Sequence, residues 1–422
     1  MTFTILLVIA VLAGFYMAWN IGANDVANAF GTSVGSGALT IKKAILLAAV
    51  FEFCGAFFVG EPVAKTISGE MVSLKTFSVS PDMIRLLGIG MIAALVASSV
   101  WLNVATFFGQ PVSTTHAIIG AVIGFGVTAT GVDCIHWHKM GAIAASWVVS
   151  PLFGAALAYV IYRWGVRRFI LNSRHPVYMT RQVMPVAMGG LVAIIAFSIV
   201  YKGLPGLHLN LPLHLAGAVA LATGVAVFLI LHFAFARSLT RARVPLGQRM
   251  ETVERWFAFM QIFTACYLSF AHGANDVANA IGPLAATLRI LRGGPEALSA
   301  RVGVPPWLLA FGAVGIVIGL ATYGYKVIES VGKKITEMTP TRGFCAEFGT
   351  ATSVLVFSKL GMPISTTFVI VGAVMGVGMA RGFAAIDLKV IRRIFASWVV
   401  TIPISAVLAA ALFLLLRLIL WV

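Results

Sequence analysis

Long apolar runs, broken by short polar and basic stretches, cover almost the whole chain of 422 residues. A helix of about 20 apolar residues is long enough to cross a bilayer. The pattern therefore predicts an all-α polytopic membrane protein with about twelve transmembrane helices. The runs lie at about 3–30, 43–62, 83–109, 111–132, 141–162, 183–201, 211–236, 256–282, 305–330, 343–361, 363–380 and 394–420.

Composition agrees with this pattern, because 60% of the residues are hydrophobic and only 10% are charged. The formal net charge of +16 could suggest a nucleic-acid partner. However, the lysines and arginines fall mostly in the short connections between apolar runs, which is typical of the cytoplasmic loops of membrane proteins. We therefore expect the lipid bilayer as partner and no nucleic acid.

The two most basic connections predict the orientation of the chain. They lie at 163–181 and 237–255, at the two ends of one pair of predicted spans. Both should face the cytoplasm. Counting spans outward from them makes the chain a multi-pass protein of the cytoplasmic (inner) membrane with both termini outside.

Four motifs occur twice and in the same order. They are GANDVANA at 22–29 and 273–280, PVSTT and PISTT at 111–115 and 363–367, GAVIG and GAVMG at 120–124 and 372–376, and ASWVV at 145–149 and 396–400. Such internal duplication is the mark of a repeated fold.

The number of spans between the two copies predicts how they are arranged. Seven predicted spans, an odd number, separate the start of one copy from the start of the next, so the copies should enter the membrane from opposite faces. This is the inverted-repeat plan of secondary transporters. We therefore expect a first repeat at 1–162, a linker with two spans and basic cytoplasmic loops at 163–255, and a second repeat at 256–422.

Each octapeptide places an asparagine and an aspartate inside an apolar run. Such groups are expensive in hydrocarbon unless they face a cavity or an ion, and their oxygens are the ligands that a small cation prefers. A glycine just before each pair favours a broken helix with freed carbonyl groups. The sequence therefore predicts a cation site at Asn24, Asp25, Asn275 and Asp276.

The Ser-Thr-Thr motifs predict an anion site. A proline followed by hydroxyl residues is typical of a helix N-terminus, where N–H groups and the helix dipole favour negative charge. Two such N-termini from inverted halves, as broken or re-entrant helices, could meet at one multi-oxygen anion. Each copy alone could instead bond its own backbone. The candidate residues are Ser113, Thr114, Thr115, Ser365, Thr366 and Thr367.

Two glutamates and two histidines complete the polar inventory of the predicted spans. Glu52 and Glu347 could each bind a cation, carry a proton or pair with a buried donor. An ungapped match of the repeats places Glu347 opposite Leu95, so the two acids come from different helices of the two halves. His116 and His272 each abut a motif and could tune proton dependence, although neither is duplicated.

At these residues the chain resembles the PiT family of inorganic phosphate transporters. The resemblance rests on both octapeptides, both Ser-Thr-Thr segments and the two glutamates, and covers essentially the whole length. It implies cation-coupled symport of inorganic phosphate without a cofactor, and the chain could assemble as a homodimer. The octapeptides with Asn24 and Asn275 resemble the sodium-coupled branch, whereas proton-coupled and sulfate-transporting relatives tend to carry a His-Asp version.

Several alternatives stay open at this point. The main one is an H⁺-coupled phosphate or sulfate symporter. A buried glutamate could carry the proton, and the hydroxyl groups of the Ser-Thr-Thr motifs suit either tetrahedral anion. An enzyme is not expected, since no nucleophile and base occur at motif spacing. A passive anion channel would not place acidic groups along its path.

The duplicated Asn-Asp pairs favour Na⁺ over H⁺, because their amide oxygens stay acceptors at every pH. We expect Na⁺ as the coupling ion, bound at Asp25, Asp276, Asn24 and Asn275, with H⁺ as the runner-up.

Overall fold

The computed structural model describes residues 3–77, 80–108, 112–201, 211–238, 245–293, 303–324, 338–382 and 388–420. Within these ranges the chain is almost entirely helical, which confirms the predicted all-α membrane fold. The α-helices are α1 (Phe3–Gly35), α2 (Ile41–Val59), α3 (Glu61–Gly69), α4 (Leu74–Phe77), α5 (Pro81–Phe107), α6 (Thr114–Thr130), α7 (Trp137–Val160), α8 (Pro176–Val200), α9 (Leu213–Ser238), α10 (Arg249–Gly293), α11 (Pro306–Gly319), α12 (Pro340–Lys359), α13 (Thr366–Arg381) and α14 (Leu388–Leu420).

The helices differ in whether they are long and apolar enough to cross a membrane. Seven described helical segments qualify, and the pair α2 and α3, bent by 62°, would make an eighth. Helices α6 and α13 are apolar but have only 17 and 16 residues, which is short for a complete span. The total of twelve spans stays a prediction.

Both octapeptides lie inside uninterrupted helices. Helix α1 runs through the first copy over 33 residues, and α10 runs through the second over 45 residues. The prediction that the helices are broken at Gly22 and Gly273 is therefore wrong. A Cβ atom on Gly22 would collide with the carbonyl oxygen of Ile316, and one on Gly273 with that of Glu52. The glycines serve close helix crossings, which small residues permit in membranes.

The Ser-Thr-Thr motifs lie where helices begin, as predicted. Helix α6 follows α5 and α13 follows α12, and each pair packs as a hairpin with the motif at its tip. Ser113 caps α6 by accepting from the backbone N–H of His116 at 3.2 Å, and Ser365 caps α13 by accepting from Phe368 at 3.4 Å. Residues 109–111 of the first tip lie outside the described ranges.

Each short helix packs on a long helix of the other half of the chain. Helix α6 crosses α14 and α13 crosses α7. A Cβ atom on Gly124 would collide with the carbonyl oxygen of Ala406, and one on Gly376 with that of Ala155. The repeated GAVIG and GAVMG motifs thus make equivalent crossings, and the two halves interlock around the hairpin tips.

Candidate functional site

A buried cluster of three carboxyl groups and one imidazole lies among helices α1, α2 and α10. Its members are Asp25, Glu52, His272 and Asp276, and none is more than 1% exposed. The Nδ1 atom of His272 lies 2.9 and 2.8 Å from the two oxygens of Glu52. On the other side of the ring, Nε2 lies 2.9 Å from Asp276 Oδ2, an ion-pair contact without hydrogen-bond alignment, and 3.9 Å from Asp25 Oδ2.

Local sequence and one helix crossing together build this cluster. His272 and Asp276 are one turn apart on α10, so they share a face. Gly273 lets the backbone of α2 approach at Glu52, and Gly55 lets α10 approach at Phe270 in return. Because three carboxyl groups surround one ring, negative charge exceeds positive charge even when the imidazole is protonated, and buried excess charge is costly.

Three of these side chains could hold a metal ion. Each offers one ligand atom, and the three atoms, from Asp25, His272 and Asp276, lie within 4.8 Å of one another. Asp25 Oδ2 has no hydrogen-bond partner among the described residues. Carboxylate oxygens in such an arrangement suit a small, hard cation.

The asparagine that precedes each aspartate orients the carboxyl group. Asn24 Nδ2 donates to Asp25 Oδ1 at 3.3 Å, while its amide oxygen accepts from Thr106 at 2.9 Å. With the amide of Asn275 oriented by its hydrogen-bond network, Nδ2 donates to Asp276 Oδ1 at 2.9 Å and the oxygen accepts from Ser358 at 2.9 Å. Both asparagines thus turn their N–H groups toward the carboxylate, as donors.

The two Ser-Thr-Thr tips meet at the acidic cluster. Thr114 Oγ1 from the first tip and Thr366 Oγ1 from the second both donate to Asp276 Oδ2, at 3.5 and 3.2 Å. The structure therefore brings the predicted anion motifs and one predicted cation ligand into a single site.

The last asparagine of each octapeptide joins one half of the chain to the other. Asn28 Nδ2 donates to Thr367 Oγ1 at 2.9 Å, and Asn279 Nδ2 donates to Thr115 Oγ1 at 3.2 Å. Thr115 in turn donates to the carbonyl oxygen of Ile364 at 2.9 Å. These reciprocal bonds hold the two tips against α1 and α10.

Glu347 on α12 has a different environment made of neutral donors. Its Oε1 atom accepts from Thr32 at 2.6 Å, from Ser33 at 2.7 Å and from Gln261 Nε2 at 2.9 Å. Its Oε2 atom accepts from Thr264 at 2.6 Å. The carboxyl group is 0% exposed, so hydroxyl and amide dipoles from α1 and α10 take the place of water.

Comparison with known proteins decides the family. Residues 21–409 match the model of the phosphate transporter family. The chain belongs to this family. It is 44% identical to the chloroplastic inorganic phosphate transporter 2-1 of Arabidopsis thaliana, over 94% of this chain and 70% of that protein. It is 43% identical to a putative phosphate permease of Pyrococcus abyssi, over 96% and 97% of the two chains.

A solved structure agrees with the sequence relatives. The sodium-dependent phosphate transporter shares 38% identity and a TM-score of 0.90 with this chain, and the match covers 98% of this chain and 99% of that one. The predicted resemblance to inorganic phosphate transporters is confirmed. This chain is therefore a multi-pass membrane transporter of a phosphate transporter family and not an enzyme.

Several residues around the transporter's site had no place in the sequence prediction. Thr106 and Ser358 hold the octapeptide asparagines, and their repeat spacing (358 − 106 = 252) equals that of the two capping serines (365 − 113 = 252). Alignment of the repeats could therefore have found them. The sequence prediction gave His272 no binding role. His272 precedes Asp276 by one helical turn, and this spacing is the signal that could have identified it as a site residue.

The other motif-adjacent histidine is placed differently in the transporter. His116 is buried, and both of its ring nitrogens lack hydrogen-bond partners among the described residues. Its ring lies 3.9 Å from that of Trp147 and 4.4 Å from that of Phe368. His116 therefore packs between aromatic rings and contacts none of the site carboxyl groups.

Proposed function

We propose that the transporter is a symporter that couples inorganic phosphate to Na⁺ across the cytoplasmic membrane, with both termini outside. The observation that carries this proposal is the meeting of both Ser-Thr-Thr tips at Asp276. Anion donors and a cation ligand then belong to one site, so the two substrates can affect each other directly.

The phosphate subsite in this proposal is formed by the two hairpin tips. The hydroxyl oxygens of Ser113 and Ser365 accept backbone N–H groups, which leaves each hydroxyl proton available to donate. Thr367 likewise accepts from Asn28. Two helix N-termini add N–H groups and favourable dipoles. Donors that approach from two helices suit the tetrahedral arrangement of phosphate oxygens.

Coupling follows from competition for hydroxyl protons. A threonine hydroxyl has one proton to donate, and Thr114 and Thr366 direct theirs to Asp276. A cation bound between Asp25 and Asp276 would satisfy the carboxylate oxygens and release these protons to phosphate. It would also offset the repulsion between phosphate and the carboxylates, which is strong in a low dielectric. Phosphate should therefore bind well only with the cation.

Na⁺ fits this role better than H⁺, although one observation favours the proton. The carboxylate oxygens of Asp25 and Asp276 lie close enough to share one small cation, and the solved structure of similar fold is named sodium-dependent. Against this, His272 links Glu52 to Asp276, and an imidazole between carboxyl groups can carry a proton. An H⁺-coupled phosphate symporter is therefore the second candidate, and sulfate is the alternative anion.

Glu347 is proposed as a second place for a coupling cation. Hydroxyl oxygens of Thr32, Ser33 and Thr264 and the amide of Gln261 surround its carboxyl group. Each hydroxyl can rotate so that its oxygen, rather than its proton, faces the centre. Such a set of oxygens suits Na⁺ once the carboxylate supplies the charge.

Proteoliposomes with imposed gradients test the proposal. One set has an inward Na⁺ gradient at equal pH on both sides, and the other has an inward proton gradient in Na⁺-free buffer. We expect phosphate accumulation in the first set only. Full accumulation in the second set and none in the first would exclude Na⁺ coupling. Excess sulfate should leave uptake unchanged, whereas arsenate should compete.

A further inference from the structure

Helices α10 and α12 run side by side in the same direction and are joined by polar contacts along their length. The contacts connect Glu254 to Thr341, Gln261 and Thr264 to Glu347, and Asn275 to Ser358. Residue numbers rise together on both helices. A shift of α12 along α10 would therefore change every contact, including those of Glu347.

The first of these contacts holds the N-terminus of α12. Glu254 Oε2 accepts from the backbone N–H of Thr341 at 2.9 Å, and Oε1 accepts from Thr341 Oγ1 at 2.9 Å. Thr339, at the N-cap position of α12, makes no side-chain cap bond to the helix. A carboxylate from the neighbouring helix therefore satisfies an N–H group that the helix leaves free, and its charge suits the positive end of the helix dipole.

The spacing of the contacts transmits this hold to the buried glutamate. Thr341 and Glu347 are six residues apart, or about 9 Å along a helix. Glu254 and Gln261 are seven residues apart, or about 10.5 Å. The two helices thus keep almost the same register from the cap to Glu347. There, the donor atoms of Gln261 and Thr264 lie 2.9 and 2.6 Å from the Glu347 carboxylate oxygens.

Among the described residues of the first half, no counterpart of this clamp occurs. The octapeptide spacing places Phe3 where Glu254 stands (254 − 251 = 3), and the hairpin spacing places Ile89 where Thr341 stands (341 − 252 = 89). Helix α5 instead caps itself, because Ser80 accepts from the backbone N–H of Met83 at 3.3 Å. The clamp thus occurs in the half whose hairpin carries a buried acid.

We propose that Glu254 is a positioning residue that sets the register of α12 on α10 and so holds Glu347 against Gln261 and Thr264. The inference rests on the proposed role of Glu347 in binding a coupling cation. Cation sites depend on the geometry of their ligands, and loss of a supporting contact lowers metal affinity by about tenfold or more.

Charge removal at two neighbouring glutamates of α10 tests the inference. Glu254→Gln breaks the clamp, and Glu251→Gln is the matched control, since Glu251 is exposed and bonds only Arg255 among the described contacts, at 2.8 Å. Phosphate uptake is measured against Na⁺ concentration in proteoliposomes. For Glu254→Gln we expect about a tenfold rise in half-saturating Na⁺, with the maximal rate at saturating Na⁺ near that of the wild type. Glu251→Gln should leave both values unchanged.

Two further variants keep failure of the inference apart from failure of the proposed function. Glu347→Gln should shift the Na⁺ dependence at least as much as Glu254→Gln. If Glu347→Gln shifts it and Glu254→Gln does not, the positioning role is wrong and the cation role of Glu347 stands. If Glu347→Gln causes no shift, the cation role is wrong and the inference is overturned with it.

A variant of the partner covers the case in which Glu254→Gln does not fold. Thr341→Val removes the hydroxyl bonds to Glu254 and Thr339 but keeps the backbone N–H contact with Glu254, so we expect a smaller rise in half-saturating Na⁺, of about threefold. A lower maximal rate with an unchanged half-saturating Na⁺ concentration would indicate an ordinary packing role and overturn the proposal.

Discussion

Glu52 and Glu347, the buried glutamates among the described residues of this transporter, have the same side chain but very different neighbours. Glu52 faces an imidazole that also contacts an aspartate, whereas Glu347 faces three hydroxyl groups and one amide. One acid belongs to a network of ionisable groups and the other to a set of neutral dipoles. Removing one partner of a buried charge pair is strongly destabilising, and of the two acids only Glu52 contacts an imidazole, so the two acids should respond differently to the same substitution.

Neither glutamate is repeated in the other half of the chain. Gly273 crosses α2 at Glu52, and the equivalent Gly22 crosses α11 at Ile316. Glu347 corresponds to Leu95 in the ungapped match. Each glutamate therefore stands opposite an apolar residue in the other half. The shared scaffold comes from the duplicated motifs, while the acids are features of single halves.

The largest expected effect is that of removing the imidazole beside Glu52. His272→Ala leaves three carboxyl groups in one buried cluster, so we expect loss of phosphate uptake and a decrease of about 3–5 kcal/mol in the free energy of unfolding. Thermal unfolding in detergent and uptake in proteoliposomes measure both. His116→Phe is the control, since that ring only packs between aromatic side chains. Wild-type uptake by His272→Ala would show that the network is dispensable.

Amide substitution of the two glutamates compares them directly. Glu52→Gln disrupts the contact with His272, so uptake should fall at least about a hundredfold at any Na⁺ concentration. Glu347→Gln removes the charge but keeps the size of the side chain and its neutral oxygen neighbours, so uptake should recover at high Na⁺, with half-saturating Na⁺ raised about tenfold or more. Uptake against Na⁺ concentration distinguishes the two patterns. Indistinguishable curves for the two variants would contradict the comparison.

The smallest effects are expected where the two halves are alike. Ser113→Ala and Ser365→Ala each remove one helix cap and one proposed phosphate donor. Loss of the cap should lower the free energy of unfolding by about 1 kcal/mol, and loss of the donor should raise the KM for phosphate about fivefold. The two variants should give similar values, because both serines bond the third residue beyond them. Wild-type phosphate affinity in both would remove the serines from the proposed site.

Sequence patterns predicted the parts of the molecule that depend on local chemistry. Apolar runs predicted helices, and Pro-x-Ser-Thr-Thr predicted the starts of α6 and α13. Duplication also suggested that both tips would meet one anion site. The structure brings Thr114 and Thr366 together at Asp276.

The parts that depend on a distant partner could not be predicted. Glycine permits both an opened helix and a close crossing, and only the backbone at Ile316 decides in favour of the crossing at Gly22. The contact of His272 with Glu52 likewise requires the approach of α2 to α10, and only the helix face that His272 shares with Asp276 can be read from the sequence. The donors of Glu347 come from two helices that are far apart in sequence, so no spacing rule links them.

The binding of phosphate as a function of Na⁺ concentration tests the central claim most directly. Calorimetry on the purified transporter would give the phosphate affinity at a series of Na⁺ concentrations, with choline as the replacement cation, for the wild type and for Asp276→Asn. If Na⁺ releases the threonine donors from Asp276, affinity should rise steeply with Na⁺ in the wild type and only weakly in the variant. The same steep Na⁺ dependence in both proteins would contradict the account.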